Sequence, residues 1–179
     1  MKDAAARVVQ FWRSAGPGRW FKKDTAFDDE FRLRFASEHD AAARDALGDW
    51  ADTAEGALAL MILLDQYPRN SFRGTARMFA TDPKALMIAK QAIAHGFDQT
   101  VDAELRRFFY LPFMHSEQPA EQDRCLELYA PIGDEPMRYA VMHRDIIARF
   151  GRFPHRNALL GRTTTVEEQR FLDEGGFAG

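Results

Sequence analysis

The sequence predicts an all-α fold, and three observations carry that expectation. Apolar residues recur at helical spacing along most of the chain, as in Phe27, Phe31 and Phe35 at i, i+4, i+8. No segment alternates apolar and polar residues with period two for long enough to make a strand. Gly, Pro and capping residues punctuate the apolar stretches, and no Gly/Ser-rich linker divides them. The expectation is therefore roughly eight helices with short loops, packed as antiparallel pairs, in a single domain over residues 1–179.

Val8, Val9, Phe11 and Trp12 give the first helix an apolar side, and GPG at 16–18 breaks it. A second helix starts at Thr25, where Thr25 and Asp28 resemble a capping box, and Gly48 is its natural stop. Thr53 caps a third helix whose ALALMILL stretch is apolar on every side, the pattern of a helix buried all round; Pro68 should end it. Asp82 followed by Pro83 reads as an N-cap with proline at the first helical position, and Gly96 stops that helix. Further helices are expected near 101–110, 119–130, 136–150 and 166–174, the last opened by a capping box from Thr165 to Glu168.

The chain is 46% hydrophobic and 28% charged, which suits a folded globular protein. Twenty-four basic against 27 acidic residues give a net charge of −3, so no overall field draws it to nucleic acid or anionic lipid. Cys125 is the only cysteine, which excludes an internal disulfide and the Cys-rich zinc patterns and fits a reducing cytoplasm. Charges at Lys2, Asp3 and Arg7 leave no signal-peptide core, and the longest apolar run, 57–64, is too short to span a bilayer.

Three polar clusters are the places where chemistry could reside. Asp65 ends a buried apolar helix, where the helix dipole disfavours a carboxylate, so it needs a partner; Arg69 and Arg73 are the obvious ones, with Asn70 between them. The group either ties the helix end to the next loop or faces a ligand. In LPFMHSEQ (111–118), Pro112 should break one helix and Ser116 or Glu117 begin the next, which would set His115 and Ser116 where free N–H groups suit an anion. The alternative there is a simple N-cap with a hydrogen-bonded joint histidine.

The third cluster spans His143, Asp145, Arg149, Arg152, His155, Arg156, Asn157 and Arg162. His143 shares a helix face with Ala140, Ile147 and Phe150 and so points inward. Asp145 and Arg149 can pair at i, i+4, leaving Arg152, Arg156 and Arg162 without local carboxylates, and unpaired arginine calls for an anion. Nineteen arginines against five lysines, none of the latter beyond Lys90, make part of this excess compositional. LDQYPRNSFRGT (64–75) and GRFPHRNALLGRT (151–163) share an aromatic, Pro, Arg-Asn and Gly order, readable as a degenerate helical repeat.

No metal is expected, since HExxH and paired-His helix faces are absent. GxSxG, a phosphate loop and a dinucleotide fingerprint are absent too, so no cofactor is implied, and Cys125 in CLELYA reads as packing.

LALMILLDQYPRNSFRGT, FFYLPFMHSEQ and HRDIIARFGRFPHRNALLGR, with WFKKDTAFD near Trp20, resemble the bacterial family known as domain of unknown function 924. The resemblance covers nearly the whole chain and implies an all-helical, tetratricopeptide-like arrangement of packed helix pairs, with no activity attached.

Two functional expectations follow. In the first, Asp65, Arg69, Asn70 and Arg73 approach His115, Ser116, Arg152, His155, Arg156 and Asn157 to bind an anionic small molecule, with His155 or His115 as acid/base and Trp12, Trp20 and Phe153 as walls. In the second, a non-enzymatic helical scaffold holds a peptide of a protein partner. RNA contact through RFGRFPHR is a weaker third, opposed by the acidic balance. A closed cavity would favour the first reading and an open groove the second.

Overall fold

Residues 57–64 form the buried centre that their all-round apolarity predicts: each is at most 2% exposed. The computed structural model describes residues 2–179, which are helical with no strand among them. Two compact units can be distinguished. One comprises the residues up to Arg73 together with Arg77–Pro112, the other Gly74–Ala76 with Phe113–Gly179.

In the first unit, α1 (Lys2–Ala15) and α6 (Asp82–Ala94) pack on α4 (Ala54–Met61), α3 (Thr25–Ala43) packs on α5 (Tyr67–Ser71), and the short α2 (Pro17–Trp20) lies against α1. Thr53 caps α4 as expected, its hydroxyl accepting the Gly56 N–H at 3.1 Å. Gly56 is required there, because a Cβ would lie 2.2 Å from the Trp50 carbonyl in the preceding 3₁₀ turn, Gly48–Asp52. Phe27, Phe31 and Phe35 are buried in an aromatic core with Trp12, Trp20 and Phe108.

Several boundaries differ from the sequence reading for local reasons. Asp24, not Thr25, caps α3, accepting the Phe27 N–H at 3.1 Å. That helix ends at Ala43, ahead of Gly48. Asp82 is the first residue of α6, not its cap. Pro112 does not break its helix: α7 (Ala103–Met114) carries it inside, held by packing of the buried Phe108, Phe109, Leu111 and Phe113.

In the second unit, α8 (Pro119–Tyr129) packs on α9 (Asp134–Phe150), and α10 (Val166–Asp173) follows a 3₁₀ turn at Pro154–Arg156. Gly151, at φ 68°, ends α9 in the left-handed conformation, and its N–H closes on the Ile147 carbonyl. The predicted capping box of α10 is present between Thr165 and Glu168. Ile146, Ile147 and Phe153 form one hydrophobic cluster of this unit's core. Among the described residues no helix is long and apolar enough to cross a membrane.

Candidate functional site

Pro68 lacks an N–H and its ring would collide with the Leu64 carbonyl in a regular α-helix, so the sequence predicts a stop. The chain instead widens into a π turn, Ile62–Gln66, whose closing bond runs from the Tyr67 N–H to the Ile62 carbonyl, and continues as α5. Three carbonyls then take side-chain donors: Leu63 from His39 Nδ1 at 2.9 Å, Leu64 from the Thr81 hydroxyl, and Asp65 from Arg69 at 2.8 Å. The bond to a carbonyl assigns the proton of His39 to Nδ1.

The first polar cluster is built on this turn. Asp65 is 1% exposed and accepts from Gln66 Nε2 at 2.6 Å, with Arg69 at 3.3 Å. Arg69 also closes a two-point fork on Asp82 at 2.7 and 2.9 Å. Burial alone would lower the Arg69 pKa, but Asp65 and Asp82 outweigh it and hold the guanidinium firmly protonated. Arg73, the other partner expected for Asp65, goes elsewhere: it and Asn70 grip Asp28, with Asn70 Nδ2 at 2.6 Å and Arg73 Nε at 2.8 Å.

The second unit gathers His115, Ser116, Arg152, His155, Arg156 and Asn157 around two carboxylates, Glu117 and Glu168, that the sequence reading did not pair with them. Arg152 forks onto Glu168 at 2.6 and 2.9 Å, and Arg162 onto Glu117 at 2.7 and 3.0 Å. Asn157, fully buried, donates to Glu168 and accepts from Arg162 Nε, joining the two pairs. The Arg152 bond is the main reason the Glu168 carboxyl falls to about 2. Burial pushes the Glu117 carboxyl up, but Arg162 and the Phe153 N–H together bring it below the usual range.

Arg156 stacks on Phe153, 4.5 Å from the ring centre, and donates to the His115 carbonyl at 3.0 Å. The rings of Phe153 and Phe177 pack against His155. Ser116 is not the helix cap, since α8 begins at Pro119; its hydroxyl accepts the Gln118 N–H. Asp145 pairs with Arg144, while Arg149 reaches Glu167, so the expected i, i+4 pair does not form. His143 is buried as predicted. Trp12, Trp20 and Phe153, expected as ligand walls, are core residues at 0%, 3% and 0% exposure.

A different feature in the first unit is open to solvent. Between α1 and α3 lies a groove of about 790 Å³ that includes Arg7, Arg13, Arg19 and Arg34, with Glu30 and Glu55 the acidic groups. Phe11 forms its floor, and Gln10 and Ser14 line one wall. The spacing of Arg7, Gln10 and Ser14 at i, i+3, i+7 is the signal that would have found this face in the sequence. Among the described residues no three His, Cys, Asp or Glu side chains are grouped to hold a metal ion.

The family model for bacterial proteins of unknown function DUF924 matches residues 8–176. A solved structure of a protein of unknown function from Agrobacterium tumefaciens is 55% identical with a TM-score of 0.95, the match covering 97% of this chain and 99% of that one. Comparison with curated proteins gives no match.

Proposed function

The chain belongs to the bacterial DUF924 family, and we propose that it acts by binding, as a helical scaffold that holds an anionic partner in the groove between α1 and α3. The observation that carries this reading is the groove itself: four guanidiniums and two carboxylates around an aromatic floor, in a trough that lies open to solvent. Arg69, Arg73, Arg152 and Arg162 spend their donors on the protein's own carboxylates. The groove arginines are instead half-exposed or more, from 51% to 62%. Exposed ion pairs of this kind contribute little, so a partner's carboxylate replaces the internal one at small cost.

Amide shifts of the labelled protein titrated with oligoglutamate and with pyrophosphate test the reading. Shifts should map to residues 6–19 and 27–35, shrink as salt is added, and vanish in an Arg7→Glu/Arg34→Glu variant. Saturating probe that leaves those amides unmoved overturns it.

A second reading is favoured by one observation. Arg156 is 7% exposed and its NH2 group donates to the His115 carbonyl, which sets a buried cation beside that histidine. On that reading Arg156, with Asn157, holds a small anionic molecule beside His155 or His115 as the acid/base group.

A further inference from the structure

Arg7 and Arg13 both line the α1–α3 groove from one helix, and their separation bears on what kind of anion fits. Arg7 and Arg13 are six positions apart on α1, which puts their Cα atoms about 9 Å apart along the helix axis and about 120° apart around it, so they are two separate cations whose long side chains turn to the groove from different sides. An extended chain advances about 3.3 Å per residue, so carboxylates two or three positions apart on one segment match that spacing. A single compact anion meets one of the two only.

The floor between them is aromatic and rigid. Phe11 stacks on Phe27 at 5.3 Å, with the planes 7° apart, and packs against Phe31 and Phe35 at 5.4 and 5.3 Å. Those three rings are buried, so Phe11 is the outermost member of a stack rooted in the core. The guanidinium of Arg34 lies 5.4 Å from the centre of the Phe11 ring and also holds Glu30 at 2.7 Å. A ligand aromatic ring has a ready seat on Phe11 once Arg34 turns toward a ligand carboxylate.

The wall supplies neutral donors and acceptors. The side chains of Gln10 and Ser14 are hydrogen-bonded to each other at 3.2 Å in an exposed position, where they can pair with a peptide backbone. Glu30 and Glu55 stand among the arginines, and they repel a continuous run of phosphates more than a segment whose charges are spaced.

We propose that the occupant is an extended acidic segment of a partner protein, with two carboxylates two or three residues apart and an aromatic side chain between them that seats on Phe11. This rests on the groove reading above and narrows it. Arg7 and Arg13 take the two carboxylates in exchange for Glu38 and Asp102, which they hold at 3.4 and 2.7 Å in exposed pairs.

The test measures binding of the full chain to a peptide carrying Glu-Phe-Ser-Glu within a Gly/Ser frame. Controls are the same peptide with both Glu changed to Gln, one with Phe changed to Ala, and inorganic pyrophosphate. Each peptide control should bind at least about tenfold more weakly than the parent, the scale expected for losing charge-assisted pairs or a buried ring. Pyrophosphate should not displace the peptide at equal concentration. An Arg7→Glu/Arg13→Glu variant with an unchanged thermal melt should lose the peptide and gain one carrying Lys at the two Glu positions. Equal binding of the Gln and parent peptides, or of pyrophosphate and peptide in competition, overturns the peptide proposal while leaving an anion groove standing. No binding of peptide or pyrophosphate removes both.

Discussion

Arg69 places two nitrogens of its guanidinium on the two oxygens of Asp82, at 2.7 and 2.9 Å, while one of them stays 3.3 Å from Asp65. One cation thus serves two carboxylates, the more deeply buried of which sits in the π turn that carries the chain past Pro68.

Replacing Asp65 with Ala strands the buried Gln66 amide and removes half of the charge that offsets Arg69. Destabilisation of roughly 3 to 5 kcal/mol is expected. Urea unfolding measures it, with Asp145→Ala as a surface control that should stay within about 0.5 kcal/mol of wild type.

The Thr81 hydroxyl is the donor to the Leu64 carbonyl that Pro68 cannot serve. Thr81→Val keeps the shape and leaves that carbonyl unpaired, which should cost about 1 to 3 kcal/mol. Native-state hydrogen exchange should show the loss as faster opening around residues 62–68; unchanged protection there would mean the bond contributes nothing.

Acid should weaken the second unit through Glu168. Its folded pKa, about 2, lies below the usual 4.5, so the unfolded chain binds the proton first. The stabilisation is full above pH 4.5 and is lost as pH falls toward 2. Stability against pH for Glu168→Gln should therefore lie below wild type at neutral pH and converge with it in acid. His39 adds a separate slope beginning higher: burial lowers its pKa from 6.5, so stability falls as pH drops below that value.

Arg156 separates the two functional readings. If the groove is the binding site, Arg156→Met loses the bond to the His115 carbonyl and the contact with Phe153, costs about 1 to 3 kcal/mol, and leaves peptide binding intact. If Arg156 clamps a small anion, the variant has that same cost and in addition loses the stabilisation that phosphate gives wild type beyond a sulfate control. Denaturant titrations with and without phosphate distinguish the two.

Helix chemistry that closes within a few residues was legible in the sequence. The Thr53 cap, the capping box of Thr165 with Glu168, and the Gly96 and Gly151 stops all stand where their local pattern put them. These bonds depend on near neighbours alone, so local sequence determines them. The all-apolar stretch at 57–64 likewise announced a buried helix, because nothing on any side of it can face water. Pro68 obeyed no such rule: His39 and Thr81, 24 and 17 residues from the carbonyls they bind, make the π turn tolerable. The arginine phrases were legible as sites that need anions, but not which anions. With 19 arginines and 27 acidic residues, any pairing is compatible with local pattern. Arg73 with Asp28 and Arg162 with Glu117, both 45 residues apart, are chosen only when packing brings one carboxylate within reach.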